Sequence, residues 1–185
     1  MIIRAVKEIL EQYVNGKDRD RFELLETIYK LDSKVTFEIK PNSISFPSTI
    51  SGNKEIAQVL SLDFNKKYSN VKTYYLSDYF PSIESLKIDK QNWLVLMSEK
   101  TSDAIYFGTG YYNWKFGYDQ VGGLQIEHHH IFIETMIKLT NLPLSFLIGL
   151  QKSIPYPWAS QEKVKELLQK YNELIEITQY LNHHQ

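Results

Sequence analysis

Between residues 71 and 134 the chain reads as four long strands joined by short links, and few folds satisfy that pattern. The segments are 71–79, 93–100, 104–116 and the histidine-rich run 124–134. The second and third flank the polar turn Thr101-Ser102-Asp103 and read as a hairpin. Residues 117–123 turn the chain into the last strand. Consecutive strands with short links pair antiparallel, and the resulting sheet must bury one face against other elements.

The first third of the chain supplies those elements. Ile3, Val6, Ile9, Leu10, Tyr13 and Val14 recur at helical spacing over residues 2–15, and Gly16-Lys17-Asp18 reads as a polar break. A second helix is expected over about 20–31, with Phe22, Leu24, Leu25, Ile28 and Leu31 on its apolar side. Residues 35–39 alternate as a strand up to Pro41, followed by a Ser/Pro/Asn-rich loop to Gly52. Asn53 is a candidate N-cap for a third helix through about Tyr68.

The segment 141–185 differs in character. It opens on the apolar patch from Leu142 to Ile148, passes through an extended stretch at 154–158, and ends in an amphipathic helix at about 161–181 capped by Ser160. His183-His184 reads as an exposed end.

Charge and composition narrow the function. With 21 basic against 22 acidic residues there is no electrostatic footprint for a polyanion, so no nucleic-acid partner is expected. No apolar run approaches the roughly 20 residues of a membrane span, and the charged, helix-patterned start does not read as a signal peptide. A cytoplasmic protein is the expectation. The absence of cysteine rules out thiol catalysis, disulfides and thiolate metal sites.

The run from Leu124 to Glu134 holds three of the five histidines. Strict alternation along a strand puts His128 and His130 on one face with Leu124, Ile126 and Phe132, and His129 on the other. That first face reads as the lining of an apolar interior. Imidazoles there would suit acid–base work, their unperturbed pKa lying near neutrality. A metal held by His128 and His130 lacks a third ligand in the sequence, so neither metal nor cofactor is expected.

Three phrases carry a family likeness. They are the helix-to-strand passage Leu24-Leu25-Glu26-Thr27-Ile28-Tyr29-Lys30-Leu31-Asp32, the helix start Ser51-Gly52-Asn53-Lys54-Glu55-Ile56-Ala57, and Tyr106-Phe107-Gly108-Thr109-Gly110-Tyr111-Tyr112 followed by Gly122-Gly123-Leu124. In this order and spacing, over about residues 2–138, they resemble the nuclear-transport-factor-two-like (cystatin-like, SnoaL-like) superfamily.

The resemblance implies an α+β fold in which a cone-shaped, curved antiparallel sheet wraps around three N-terminal helices. Residues 1–140 would form that domain, and 141–185 a helical extension acting as a lid or an oligomer clamp. It further implies a small hydrophobic molecule as ligand and a homodimer as assembly. Function would be ligand binding, with lyase or isomerase acid–base chemistry of the SnoaL or dehydratase kind, or else a non-catalytic binding or dimerisation module.

The positions of the isomerases' base and oxyanion tyrosine fall at about Ile39 and Leu10, both apolar, which disfavours that mechanism. Dehydratase-like members often carry a histidine on the first strand of the sheet proper, where this chain has Tyr74-Tyr75. The remaining candidates are His128, His130 and Tyr75 as catalytic groups, with Tyr112, Trp114, Asp32 and Phe132 as ligand contacts.

Overall fold

The computed structural model describes residues 2–183, which leaves His184 of the terminal pair outside. Helix α1 (Ile2–Asp18) buries Val6, Ile9, Leu10, Tyr13 and Val14 along one side. It continues two residues past Gly16 instead of stopping there, and so carries Lys17 and Asp18 inward. Gly16 is required because α2 (Phe22–Ile28) packs so closely that a Cβ would stand 2.8 Å from Leu25 Cδ2. Strand β1 (Tyr29–Ile39) begins earlier than its alternation suggests, and the short β2 (Thr49–Ser51) pairs back onto it.

The expected third helix is divided into α3 (Asn53–Ala57), a π-helical turn (Gln58–Asp63) and α4 (Phe64–Lys67). Its N-cap is Gly52, while Asn53 instead donates to the Glu26 carbonyl from its amide. Four strands follow, β3 (Tyr68–Leu76), β4 (Lys87–Glu99), β5 (Ile105–Tyr118) and β6 (Leu124–Leu139), all paired antiparallel in sequence order. The apolar patch of the extension forms a helix, α5 (Leu144–Ser153), and β7 (Trp158–Ala159) adds to the sheet edge. The final helix is α6 (Gln161–Leu168) and α7 (Ile175–His183), separated where Tyr171 leaves helical geometry and packs edge-on against Phe146 at 5.0 Å. No helix among the described residues is long and apolar enough to cross a membrane.

The seven strands form one curved, unclosed sheet in the order β2-β1-β6-β5-β4-β3-β7. Strand β1 runs parallel to β6, and β7 parallel to β3, so the outer pairings depart from the antiparallel expectation. One core lies between α1–α4 and the inner face of the sheet. A second core lies on the outer face, where Tyr74, Leu76, Leu94, Leu96, Ile105 and Phe107 meet α5, α6 and α7.

Two bulges in β6 decide which histidine faces inward. Lys115 pairs with His128 and Phe116 with Ile126, leaving Glu127 as an extra residue; Glu134 is skipped in the same way between Ile133 and Thr135. Each extra residue reverses the alternation locally. The inner face therefore reads Ile126, His129, Ile131, Ile133 and Met136. The expectation for His128 and His130 is thus reversed: His129 is the buried imidazole and its neighbours face outward. Beside the second bulge, Gly110 lies so close that an added Cβ would overlap the Phe132 carbonyl.

Candidate binding cavity

A cavity of about 40 Å³ sits inside the cone. The last turn of α1 contributes Tyr13 and Lys17, the π-helical turn and α4 contribute Leu60 and Phe64, and the sheet contributes Thr73, Trp93, Val95, Met97, Tyr112, Ile131, Ile133 and Met136. Phe37, Ile44 and Phe46 close it from β1 and the loop after it. Lys17 is the one charged residue on this wall among the described residues.

Its charge is anchored closely. Lys17, only 7% exposed, donates from Nζ to Asp18 Oδ1 at 2.6 Å and to Thr73 Oγ1 at 2.7 Å. Asp18 also accepts from the Thr73 amide at 2.6 Å, from Thr73 Oγ1 at 2.9 Å and from the Tyr156 hydroxyl at 3.2 Å. Each carboxylate oxygen thus accepts two donors, which fills the acceptor capacity of an ionised aspartate. The lysine keeps one N–H beyond its two acceptors, and its ammonium lies 5.0 Å from the Phe64 ring centroid.

Two wall residues carry buried polar atoms with no partner. Trp93 Nε1 is unpaired, and the Tyr13 hydroxyl has only the neighbouring Tyr112 hydroxyl beside it, which leaves its own proton free. Such atoms are costly in an apolar interior unless a ligand or water meets them. Behind Tyr13 and Tyr112 lies His129, stacked on Trp114 at 3.7 Å and touched edge-on by Tyr13 at 5.0 Å and Tyr112 at 4.9 Å. Its Nδ1 is 2.8 Å from the Tyr29 hydroxyl, while Nε2 has no partner. Burial holds this imidazole well below the ordinary histidine pKa, so it is neutral. Burial likewise pushes the hydroxyls of Tyr13, Tyr29, Tyr75 and Tyr112 far up, which keeps them as donors.

The residues singled out from the sequence are scattered. Tyr112 lines the cavity, Trp114 is buried against His129, and Tyr75 lies inside with its hydroxyl donating to the Leu10 carbonyl at 2.8 Å. His128 and His130 lie on the outer face and flank Thr36, whose Oγ1 is 3.3 Å from His128 Nε2 and 3.0 Å from His130 Nδ1. His130 Nε2 stands 3.9 Å from Glu38 Oε2. Phe132 is buried outward against Tyr111 at 4.7 Å, and Asp32 is exposed on β1. These four do not line the cavity. No group of three or more His, Asp or Glu among the described residues is placed to hold a metal.

Lys17 and Asp18 escape a sequence reading because charged residues after a glycine signal a helix end and solvent, and Thr73 because nothing in its strand marks it apart from its neighbours. Residues 142–158 do not line the cavity; the loop bearing Ile44 and Phe46 bounds it instead.

No family model matches the sequence, and no curated protein matches it either. Solved structures do. A hexachlorocyclohexane dehydrochlorinase, LinA-type3 from Novosphingobium barchaimii, superposes with a TM-score of 0.59 at 12% identity, covering 76% of this chain and 91% of that one. A nuclear transport factor 2-like superfamily protein from Salmonella enterica serovar Typhimurium gives 0.57 at 14%, covering 70% and 88%. ActVI-ORFA from Streptomyces coelicolor gives 0.54 at 13%, covering 72% and 98%. The chain has the nuclear-transport-factor-two-like fold.

Proposed function

We propose that this protein binds a small, mainly apolar molecule inside the cone, with one neutral oxygen of that molecule accepting from the wall donors. The observation that carries the reading is the set of donors left on an otherwise apolar wall: the third N–H of Lys17, Trp93 Nε1 and the Tyr13 hydroxyl. A ketone or hydroxyl oxygen suits them better than a carboxylate does. The Lys17–Asp18 pair is already neutral overall, and a further buried anion would carry an uncompensated desolvation cost.

Binding without acid–base catalysis fits this wall best. Removing a proton next to a leaving group or carbonyl needs a base at the ligand. Two structural neighbours are named dehydrochlorinases, yet the residues lining this cavity include neither carboxylate nor imidazole. Asp18 has no lone pair to spare, and His129 lies one aromatic layer behind the wall.

Cyclobutanone and cyclopentane have the same number of heavy atoms and differ by one oxygen, so they isolate the polar contact. Calorimetry is expected to show the native protein preferring the ketone by about tenfold, the worth of one hydrogen bond to a charged donor. Replacing Lys17→Met and Asp18→Asn together removes both charges at once and is expected to cut that preference sharply, leaving only what Trp93 Nε1 and the Tyr13 hydroxyl supply. Equal affinities for the two probes in the native protein would rule the reading out.

A further inference from the structure

The C-terminal extension reaches the polar end of the cavity from the far side of β3. Residues 156–159 form a strap across the sheet edge. The Tyr75 amide donates to the Pro157 carbonyl at 2.7 Å, and the Ser77 amide to the Ala159 carbonyl at 2.9 Å. Trp158 packs at a tilt on Tyr75, 4.6 Å between ring centroids, and donates from Nε1 to Glu11 Oε1 at 2.9 Å, fixing the strap to α1. Two residues earlier, the Tyr156 hydroxyl donates to Asp18 Oδ2 at 3.2 Å.

That contact is the fourth on a carboxylate whose other three come from Lys17 and Thr73. The Tyr156 ring is held edge-on by Tyr74 at 5.7 Å, and burial keeps its hydroxyl protonated, hence a donor. Asp18 in turn sets where the Lys17 ammonium stands, because Oδ1 takes one of its N–H groups and orients the Thr73 hydroxyl that takes a second. The direction of the remaining N–H follows from those two bonds.

We propose that Tyr156 is a positioning residue for the binding cavity: it fixes the Asp18 carboxylate, through which it aims Lys17 at the ligand. The extension is then a working part of the site. Docking of the strap and capture of a polar ligand favour each other by the same factor, as linkage requires. This inference rests on the reading of Lys17 as the ligand's donor.

The test is Tyr156→Phe in the full-length chain, which keeps the ring and its packing. Two measurements separate the possibilities. Hydrogen exchange of the Thr73 amide reads the carboxylate without any ligand, and is expected to quicken in the variant. Cyclobutanone affinity is expected to fall by about three- to tenfold, within the range by which residues that do not touch a ligand modulate its binding, while cyclopentane affinity stays level. In the Lys17→Met, Asp18→Asn background the added Tyr156→Phe should change neither probe.

Unchanged Thr73 exchange would overturn the inference and leave the proposed function standing. So would equal weakening of both probes, which is what a mere packing defect produces. A native protein that does not prefer the ketone would remove the proposed function, and ligand coupling with it, whatever the exchange shows.

Discussion

The His129 imidazole has no exposed surface and is enclosed by Trp114, Tyr13, Tyr112 and Tyr29. Its folded-state pKa lies well below the ordinary value of about 6.5, chiefly through burial. The consequence for stability has a definite sign. Above that ordinary value both states hold a neutral ring, and the group adds no pH dependence. Below it the unfolded chain takes a proton that the folded chain refuses, so stability falls as pH drops, by up to about 1.4 kcal/mol per pH unit. Denaturant titrations between pH 5 and 6.5 isolate the histidines from Asp63, Glu99 and Glu127, whose lowered pKa values place their titration in more acid solution. His129→Phe paired with Tyr29→Phe, which avoids stranding the tyrosine hydroxyl, is expected to flatten most of that slope. His128 is also lowered by burial but is only half-buried, so His128→Gln should leave most of it. A slope untouched by the double replacement would place the sensitive group elsewhere. Alternation could not have identified His129 from the sequence, because one extra residue at Glu127 swaps the faces and nothing local announces it.

At the level of elements, the periodic segments were legible and the punctuated ones were not. Helix α1 and the β4–β5 hairpin follow from spacing alone. The parallel pairing of β1 with β6 is non-local and leaves no mark on either strand. The loop after β1 read as a connector of Ser, Pro and Asn, yet it forms a wall of the cavity. Ile44 and Phe46 line the interior on one side and, on the other, a groove of about 630 Å³ bounded by Val59, Lys67, Tyr68 and Tyr106. Phe46 is held chiefly by its rings' contacts, 4.6 Å from Phe37 and 6.2 Å from Phe64 between centroids. Shortening it should join groove and cavity. Phe46→Ala is expected to admit larger ketones such as cyclooctanone, at a stability cost of about 1–2 kcal/mol for a half-buried ring. A calorimetric series of cyclic ketones checks this; an unchanged size limit would mean that the partition lies elsewhere.

On the scale of the whole molecule, one sheet serves two cores, and that arrangement sets how the chain unfolds. The outer core borrows Tyr74, Leu76, Leu94, Leu96, Ile105 and Phe107 from strands whose other faces build the inner core. Each such side chain is worth roughly 1.5–3 kcal/mol when buried, so six together rival the total stability of a domain, about 5–15 kcal/mol. The extension that the sequence set apart at residue 141 is therefore expected to share its stability with the sheet. Its last helical stretch was legible as an amphipathic run and α5 only as an apolar patch, but their docking face was not, since nothing in a helix's own pattern says which side of a sheet it will meet. A single substitution in the extension tests the sharing. Leu147 is fully buried against the outer face, and Leu147→Ala is expected to cost about 2–4 kcal/mol. The loss should lower one common melting transition by about 2–4 °C per kcal/mol. Near-ultraviolet circular dichroism follows the aromatic inner core, and a probe placed on α7 follows the extension. If the two fall together in the native chain and in the variant, the cores are one cooperative unit. A variant in which α7 melts first while the inner core keeps its native midpoint would show that the extension folds onto the sheet without supporting it.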